Sequence, residues 1–324
     1  MKEYTDSILD RLAKYPRANL LQTPALIHKL PRLSSNTGCN IYILRDDLTG
    51  FALGGNKTRK LDYLVGDAVA KKADTLVTMK ATSFSRNAAA AARVCGLDLH
   101  VVVAGAESEQ NAASQALFKQ YDAKLHYVPE GENALPNARS RLVESLKRQR
   151  KAVYELHPGG SDSIGALGYV HAFHEILNFS HRSGVHFSHI IHSSSSAGTQ
   201  AGLVLGQCIT AYDTRVLGVS ASLRAEAQSE RVRELASSTA RMLGTQLDET
   251  KILVDDRFVG PGYAVPSEEG ENAVNMFAAL EGILLDQVYA GKAAAALLHY
   301  ATNRVFEGDI VLFIHTGGNA GLFY

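Results

Sequence analysis

The chain has 324 residues, enough for two moderate domains or one large one with a high fraction of its surface buried on folding. Its 33 basic residues balance 33 acidic ones, which excludes an electrostatic footprint for nucleic acid or for an anionic membrane surface. Cys39, Cys95 and Cys208 stand alone, without CxxC spacing or companion histidines, so neither a disulfide framework nor a zinc site is expected and a reducing, cytoplasmic setting fits best.

In chain order, the opening "MKEYTDSILDRLAKYP" is charged rather than apolar, unlike a signal peptide. No apolar run reaches the roughly 18 residues that a membrane helix needs. Short runs rich in Ile, Val and Leu then alternate with longer Ala-rich helical stretches. The predicted strands are "NIYILRDD", "DTLVTMK", "LHVVVAG", "KLHYVP", "HIIHSSSS", "RVLGVSAS" and "DIVLFIHTGG". Such alternation predicts an α/β protein with open, twisted, mostly parallel sheets and helices on their faces. Ligands of such sheets bind just beyond the carboxyl ends of the strands, so the small polar and glycine loops there are the candidate site.

Three segments stand out. "LGGNKTRKL", residues 53–61, places Lys57, Arg59 and Lys60 directly behind Gly54 and Gly55. Paired glycines permit a crowded backbone. A lysine held there among cations in a partly dry site loses proton affinity and becomes an amine nucleophile able to form Schiff bases. "SSSSAGTQAGLVLG", from 193, leaves a strand and enters a helix whose free amides form an anion cradle. No GxGxxG follows the first strand and no GxxxxGK[ST] occurs, which removes the main support for dinucleotide and P-loop readings. The KRQRK run at 147–151 reads as the polar end of a helix, and the twelve histidines do not cluster at ligand spacing.

Together, "TPALIHKLPRL" at 23, "IYILRDDLTGFALGGNKTRKLDYL" at 41, "HPGGSDSIGALGY" at 157, "SAGTQAGLVLG" at 196, "FVGPGYAVPSEEG" at 258, "LEGILLDQVYAGKA" at 280 and "VLFIHTGGNAGLF" at 311 form one pattern. It resembles the pyridoxal-phosphate enzymes of the tryptophan-synthase-β fold type, in the branch of D-cysteine desulfhydrase and 1-aminocyclopropane-1-carboxylate deaminase. The resemblance covers about nine-tenths of the chain. It implies two interleaved sheet domains, a small one at 60–165 inserted in a larger one made of 1–59 and 166–324, with pyridoxal 5'-phosphate in the cleft. It also implies a homodimer acting on a small amino acid; the balanced charge and the lack of a long apolar run predict no nucleic-acid or membrane partner.

By that resemblance Lys57 carries the cofactor covalently, Lys60 touches its phosphate, and Ser196, Ala197, Gly198 and Thr199 form the phosphate cradle. Ser194 and Ser195 read as turn residues. Thr316 matches the hydroxyl facing the pyridine nitrogen, a weaker partner than an acid and suited to eliminating a good β leaving group. Tyr289 and Tyr263 match two active-site tyrosines, which with a lowered pKa could serve as acid, base or nucleophile. Asn56 and Arg59 are assigned structural support, while Asp46, Asp47, Glu268 and Glu269 are expected to satisfy loop backbone or face solvent.

The chain departs from that branch in "MKATSFSRNAAAAARVCGL", from 79, where the branch's SNH triplet is missing. Its substitute is Ser85, Arg86 and Asn87, spaced like the serine, glycine, asparagine run of serine racemases and threonine dehydratases. On this reading Asn87 bonds the cofactor's ring oxygen. Ser83 and Ser85 line the substrate carboxylate site, and Lys57 or Ser85 removes the α-proton. Arg86 either points inward, favouring a substrate with a second acidic group, or outward as an ordinary helix arginine. Lys80 stands where the family has glycine. Ala290 follows Tyr289 where the deaminases have glutamate, so opening of a cyclopropane ring is not expected. The desulfhydrases tend to a small hydroxyl residue there, so Ala290 weakens that match as well. The leading expectation is α,β-elimination giving pyruvate and ammonia. The alternatives are β-replacement or racemisation, and binding without turnover.

Overall fold

The computed structural model describes residues 2–22 and 24–323; Met1, Tyr324 and Thr23, the first residue of the TPALIHKLPRL match, lie outside them. Among the described residues the strands are β1 (Ile27–Lys29), β2 (Asn40–Arg45), β3 (Thr75–Met79), β4 (Asp98–Ala104), β5 (Lys124–Val128), β6 (Val153–Glu155), β7 (His189–Ser194), β8 (Arg215–Ser220), β9 (Leu253–Asp255) and β10 (Ile310–His315). They build two sheets, one in the order β1-β2-β10-β7-β8-β9 and one in the order β5-β4-β3-β6. Every pairing is parallel except β1 with β2. All seven predicted strands are present. The three unpredicted ones, β1, β6 and β9, are three residues each, too short to show a period.

β10 shows why the larger sheet is buried on both sides. Leu312 and Ile314 join Ile190 of β7 in a core capped by Val170 and Phe173 of the helix Ser163–Ser183. Val311 and Phe313 join Ile191 in a core on the opposite face, against Ala293 and Leu297 of the helix Ala290–Thr302. Each such aliphatic side chain contributes about 1.5–3 kcal/mol by leaving water. β10 runs parallel between β2 and β7, with Ile314 beside both Leu44 and His192. The chain therefore leaves β2, β7 and β10 at one edge, and the segments after them converge there.

The chain passes from one sheet to the other in the helix Asn56–Ala70, between β2 and β3, and back in the helix Ser163–Ser183. The expected domain boundaries at 59/60 and 165/166 thus fall inside continuous helices. A buried ion network ties those helices together. Arg59 is almost fully buried and pairs with Asp46 at 2.7 Å and Glu175 at 2.9 Å, while the Tyr169 hydroxyl donates to Asp46. Asp46 is therefore neither a loop cap nor a solvent group. Losing one member of such a pair costs about 3–5 kcal/mol, because the other charge stays buried. Asp47 is also withdrawn from solvent, paired with Arg45 at 2.7 Å, whereas Glu268 and Glu269 are exposed in a first helical turn.

Candidate active site

The paired glycines are explained by what surrounds them. Gly54 and Gly55 have φ values of 65° and 89°, and a Cβ on them would lie 2.3 Å from the Asp47 carbonyl oxygen and 3.0 Å from that of Thr316. Only glycine allows the turn to press against the end of β10. The Asn56 amide donates to the Thr316 carbonyl at 2.9 Å, and the helix Asn56–Ala70 begins there.

Lys57 sits in its first turn, half-buried, on the wall of a cavity of about 540 Å³. Burial pushes its amine down to about 8, and no hydrogen bond or ion pair holds the amine among the described residues. A neutral fraction is thus present near neutral pH. Lys60, one turn on, is fully buried behind the cavity, and its Nζ donates to the Gly159 carbonyl at 3.2 Å and Ser161 Oγ at 3.3 Å. Burial first, then the charge of Lys57, holds its pKa well below the ordinary value.

The helix Gly198–Thr210 starts on the opposite wall. Ala197, its N-cap, has φ 71° and offers no side-chain cap. The helix's own ladder begins only at Ala201, whose N–H donates to the Ala197 carbonyl at 2.9 Å. First-turn amides are thus kept off the ladder, and the positive end of the helix dipole faces the cavity. A Cβ on Gly198 would lie 3.0 Å from both Lys60 Nζ and Ser161 Oγ. Ser161 donates to Ser196 Oγ at 2.7 Å, so hydroxyls, amides and the Lys60 amine meet at one point. Asn56 Nδ2 donates to Thr199 Oγ1 at 3.1 Å, linking this wall to the Lys57 helix.

Comparison with known proteins decides the family. The family model described as "Pyridoxal-phosphate dependent enzyme" matches residues 18–317. The D-cysteine desulfhydrase of Klebsiella pneumoniae (strain 342) is 37% identical over 326 residues, covering 97% of this chain and 98% of its own. The chain belongs to the pyridoxal-phosphate dependent enzymes. A crystal structure described as an ACC deaminase homologue superimposes with a TM-score of 0.88 at 34% identity, covering 97% of this chain and 95% of its own. The processed threonine deaminase isoform 2 of Solanum lycopersicum shares the fold, with a TM-score of 0.70 at 15% identity over 98% of this chain and 85% of its own.

The residues present fit pyridoxal phosphate. An anion cradle at 196–199 with Lys60 behind it suits a phosphate dianion, and the Lys57 amine suits an aldehyde. Asn87 lines the cavity between them, its Nδ2 donating to the Gly54 carbonyl at 2.9 Å and to Thr58 Oγ1 at 3.2 Å. Its buried Oδ1 has no partner among the described residues, an acceptor left for a ligand. Thr316 lines the same cavity.

Ser83, Arg86 and Tyr289 also line the cavity. Arg86 is half-buried and its Nη1 donates to Ser114 Oγ at 2.9 Å. Ser85 is placed differently from expectation. Fully buried and off the cavity wall, it accepts from the Thr82 amide at 2.8 Å and bonds the Lys80 and Thr82 carbonyls at 2.7 and 2.9 Å. It ties down the start of its own helix, because a hydroxyl at the third helical position reaches back most easily to its N-cap. It is therefore not positioned as a base or carboxylate ligand. Tyr263 is 54% exposed and off the wall, with its hydroxyl bonded to that of Tyr289. Burial, then the bond to Tyr263, raises the pKa of Tyr289 rather than lowering it. Tyr289 is thus protonated at neutral pH, which leaves its hydroxyl as a hydrogen-bond donor and not as a base.

Two participants escaped the sequence reading. Ser161 lies in the HPGGSDS match and gave no separate signal. Asp286 lines the cavity, almost fully buried, and accepts from the amides of Val288, Tyr289 and Ala290 at 2.9, 2.8 and 3.0 Å. Its position ahead of an Ala-rich helix is a recognisable capping signal. Ser194, read as a turn residue, is instead the last residue of β7, where its hydroxyl donates to Gln200 Oε1 at 2.7 Å, and both it and Ser195 line the cavity.

Proposed function

We propose that this chain is a lyase that removes a β substituent and ammonia from a small β-substituted amino acid, in the manner of the D-cysteine desulfhydrases. One observation carries this reading: Lys57, the 196–199 cradle and the protonated Tyr289 share a single cavity. Bound pyridoxal phosphate supplies the electron sink that acidifies the substrate Cα–H.

The chain's own residues supply the rest. Lys57, with its amine near 8, accepts the α-proton as a base poised close to neutrality. Tyr289 donates a proton to the departing group, and the exposed Tyr263 hydroxyl bonded to it connects that donor to solvent. Ser83 and the first-turn amides of the helix Ser83–Val94 receive the α-carboxylate. Lys57, Arg86 and Asp286 are the charged side chains on the described wall. Asp286 is bonded to three amides, and Arg86, held by Ser114, brings to this wall a positive charge that favours a substrate whose β substituent is itself acidic. Asn87 would help to hold the cofactor ring through its open Oδ1, and Thr316 would offer a neutral hydroxyl, which cannot charge a ring nitrogen as an acid would.

The same reading places a 60–165 lobe against a 1–59 plus 166–324 lobe, which the separate sheets support, and takes the protein as a cytoplasmic homodimer. The test is product analysis with purified, cofactor-loaded protein. Pyruvate and ammonia are expected from at least one of D-cysteine, L-cysteate and β-chloroalanine. A product formed without keto acid would instead support replacement or inversion, and no turnover of any of them would overturn the lyase reading.

A further inference from the structure

Lys292 occupies the first turn of the helix Ala290–Thr302 and is completely buried. Its Nζ donates to three backbone carbonyls, those of Gly262 at 2.7 Å, Val259 at 2.8 Å and Ala221 at 3.4 Å. A carbonyl can only accept, and a neutral amine has two N–H donors where three are needed, so the group bound is an ammonium. Among the described residues no carboxylate forms an ion pair with it; burial lowers its pKa, and the Asp286 charge, acting from beyond contact distance, works against that shift.

The surrounding oxygens would do equally well for another ion. Neutral carbonyls without carboxylates suit a large, weakly hydrated monovalent cation rather than a divalent one. No group of His, Cys, Asp and Glu among the described residues is arranged to hold a metal ion. Gly260, at φ 65°, sets the peptide that presents the Val259 carbonyl.

The cage joins three pieces of chain that meet nowhere else in sequence. Ala221 follows the end of β8, Val259 and Gly262 bracket the turn that delivers Tyr263, and the helix carrying Lys292 begins directly after Tyr289. The Tyr263 and Tyr289 hydroxyls are bonded to each other. The position of each tyrosine is therefore tied to the same buried charge.

We infer that the carbonyls of Ala221, Val259 and Gly262 form a monovalent-cation site filled by the chain's own ammonium, and that Lys292 is the positioning residue holding Tyr263 against Tyr289. Removing the side chain leaves three buried acceptors unsatisfied and a hole of the right chemistry for potassium or ammonium.

Lys292→Ala is compared with wild type and Lys292→Met in potassium, ammonium and tetramethylammonium chlorides at one ionic strength. Potassium or ammonium at about 100 mM is expected to raise the melting temperature of Lys292→Ala and to leave that of wild type unchanged. Lys292→Met, whose chain fills the hole without charge, should not respond. In the cofactor-loaded enzyme, Lys292→Ala should lose kcat about tenfold or more with KM moved less than about threefold, and the two small cations should restore kcat while tetramethylammonium does not. A folded Lys292→Ala variant with the same melting temperature in all three salts would overturn the inference, whatever the enzyme's substrate. If Lys292→Ala does not fold, Lys292→Met decides: folded protein with about tenfold lower kcat supports the role, and folded protein with wild-type kcat removes it.

Discussion

The helices Gly198–Thr210 and Ser83–Val94 both begin where a strand ends and both turn their first residues toward the cavity, yet they treat those ends differently. The first has Ala197 as its N-cap, at φ 71°, with no side chain available to cap. The second is drawn in by Ser85, whose hydroxyl bonds the Thr82 amide and the Lys80 and Thr82 carbonyls. An uncapped N-terminus is a standing demand for an anion, whereas a self-capped one is stable alone and can be rebuilt around different side chains. The contrast teaches that the wall at 196–199 is fixed by backbone, while the wall at 82–87, which we propose receives the substrate, is adjustable through residues such as Ser83 and Arg86.

The largest effect tests the covalent end. Lys57→Ala should abolish the visible absorption of the bound cofactor and lower turnover by about 10³-fold or more. A coloured, active Lys57→Ala protein would remove the role given to that amine. Gly198→Val comes next. Its added carbons press on Lys60 Nζ and Ser161 Oγ, so phosphate contacts worth a few kcal/mol weaken and cofactor affinity should fall about ten- to hundredfold, measured by fluorescence titration. Unchanged affinity would mean that the phosphate is held elsewhere.

The pH dependence of cofactor capture follows from the Lys57 amine, held near 8 by burial. Capture needs the neutral amine, so stopped-flow capture rates should rise with pH and level off above about 8. The linkage has the same direction. The folded state binds fewer protons than the unfolded chain between about 8 and the ordinary lysine value, so apo-protein stability gains from this group as pH rises through that window. A flat rate profile from pH 6 to 9 would show that the amine is not the titrating nucleophile. Ser85→Ala sharpens the other side of the comparison. Losing this bond should reduce stability by about 1 kcal/mol in urea unfolding and leave cofactor affinity within about threefold.

The glycine turn, the hydroxyl run leaving a strand and the lysines one helical turn apart were readable in the sequence because they use local chemistry. Strands with runs of β-branched residues buried on both faces, such as β10, were equally plain. What was hidden depends on partners distant in the chain. Nothing near Asp46 announces that Arg59, Tyr169 and Glu175 converge on one buried network. Nothing beside Lys292 announces three carbonyls from two other segments. Ser85 was misread because a serine at the start of a helix can face a ligand or its own N-cap, and spacing does not distinguish the two.

The smallest effect concerns Lys80, which stands at the end of β3 with φ 71° and is exposed. A side chain in that conformation costs about 1 kcal/mol relative to glycine, whereas glycine costs about 0.4–1 kcal/mol by loosening the unfolded chain. The two nearly cancel, so Lys80→Gly should change stability by less than about 0.5 kcal/mol. Lys80→Ala keeps the strained angle and loses only an exposed charge, so both variants should lie within about 0.5 kcal/mol of wild type. If both also weaken substrate binding severalfold, Lys80 acts on the substrate end through its charge. The rebuilt wall would then extend from Arg86 back to the strand end.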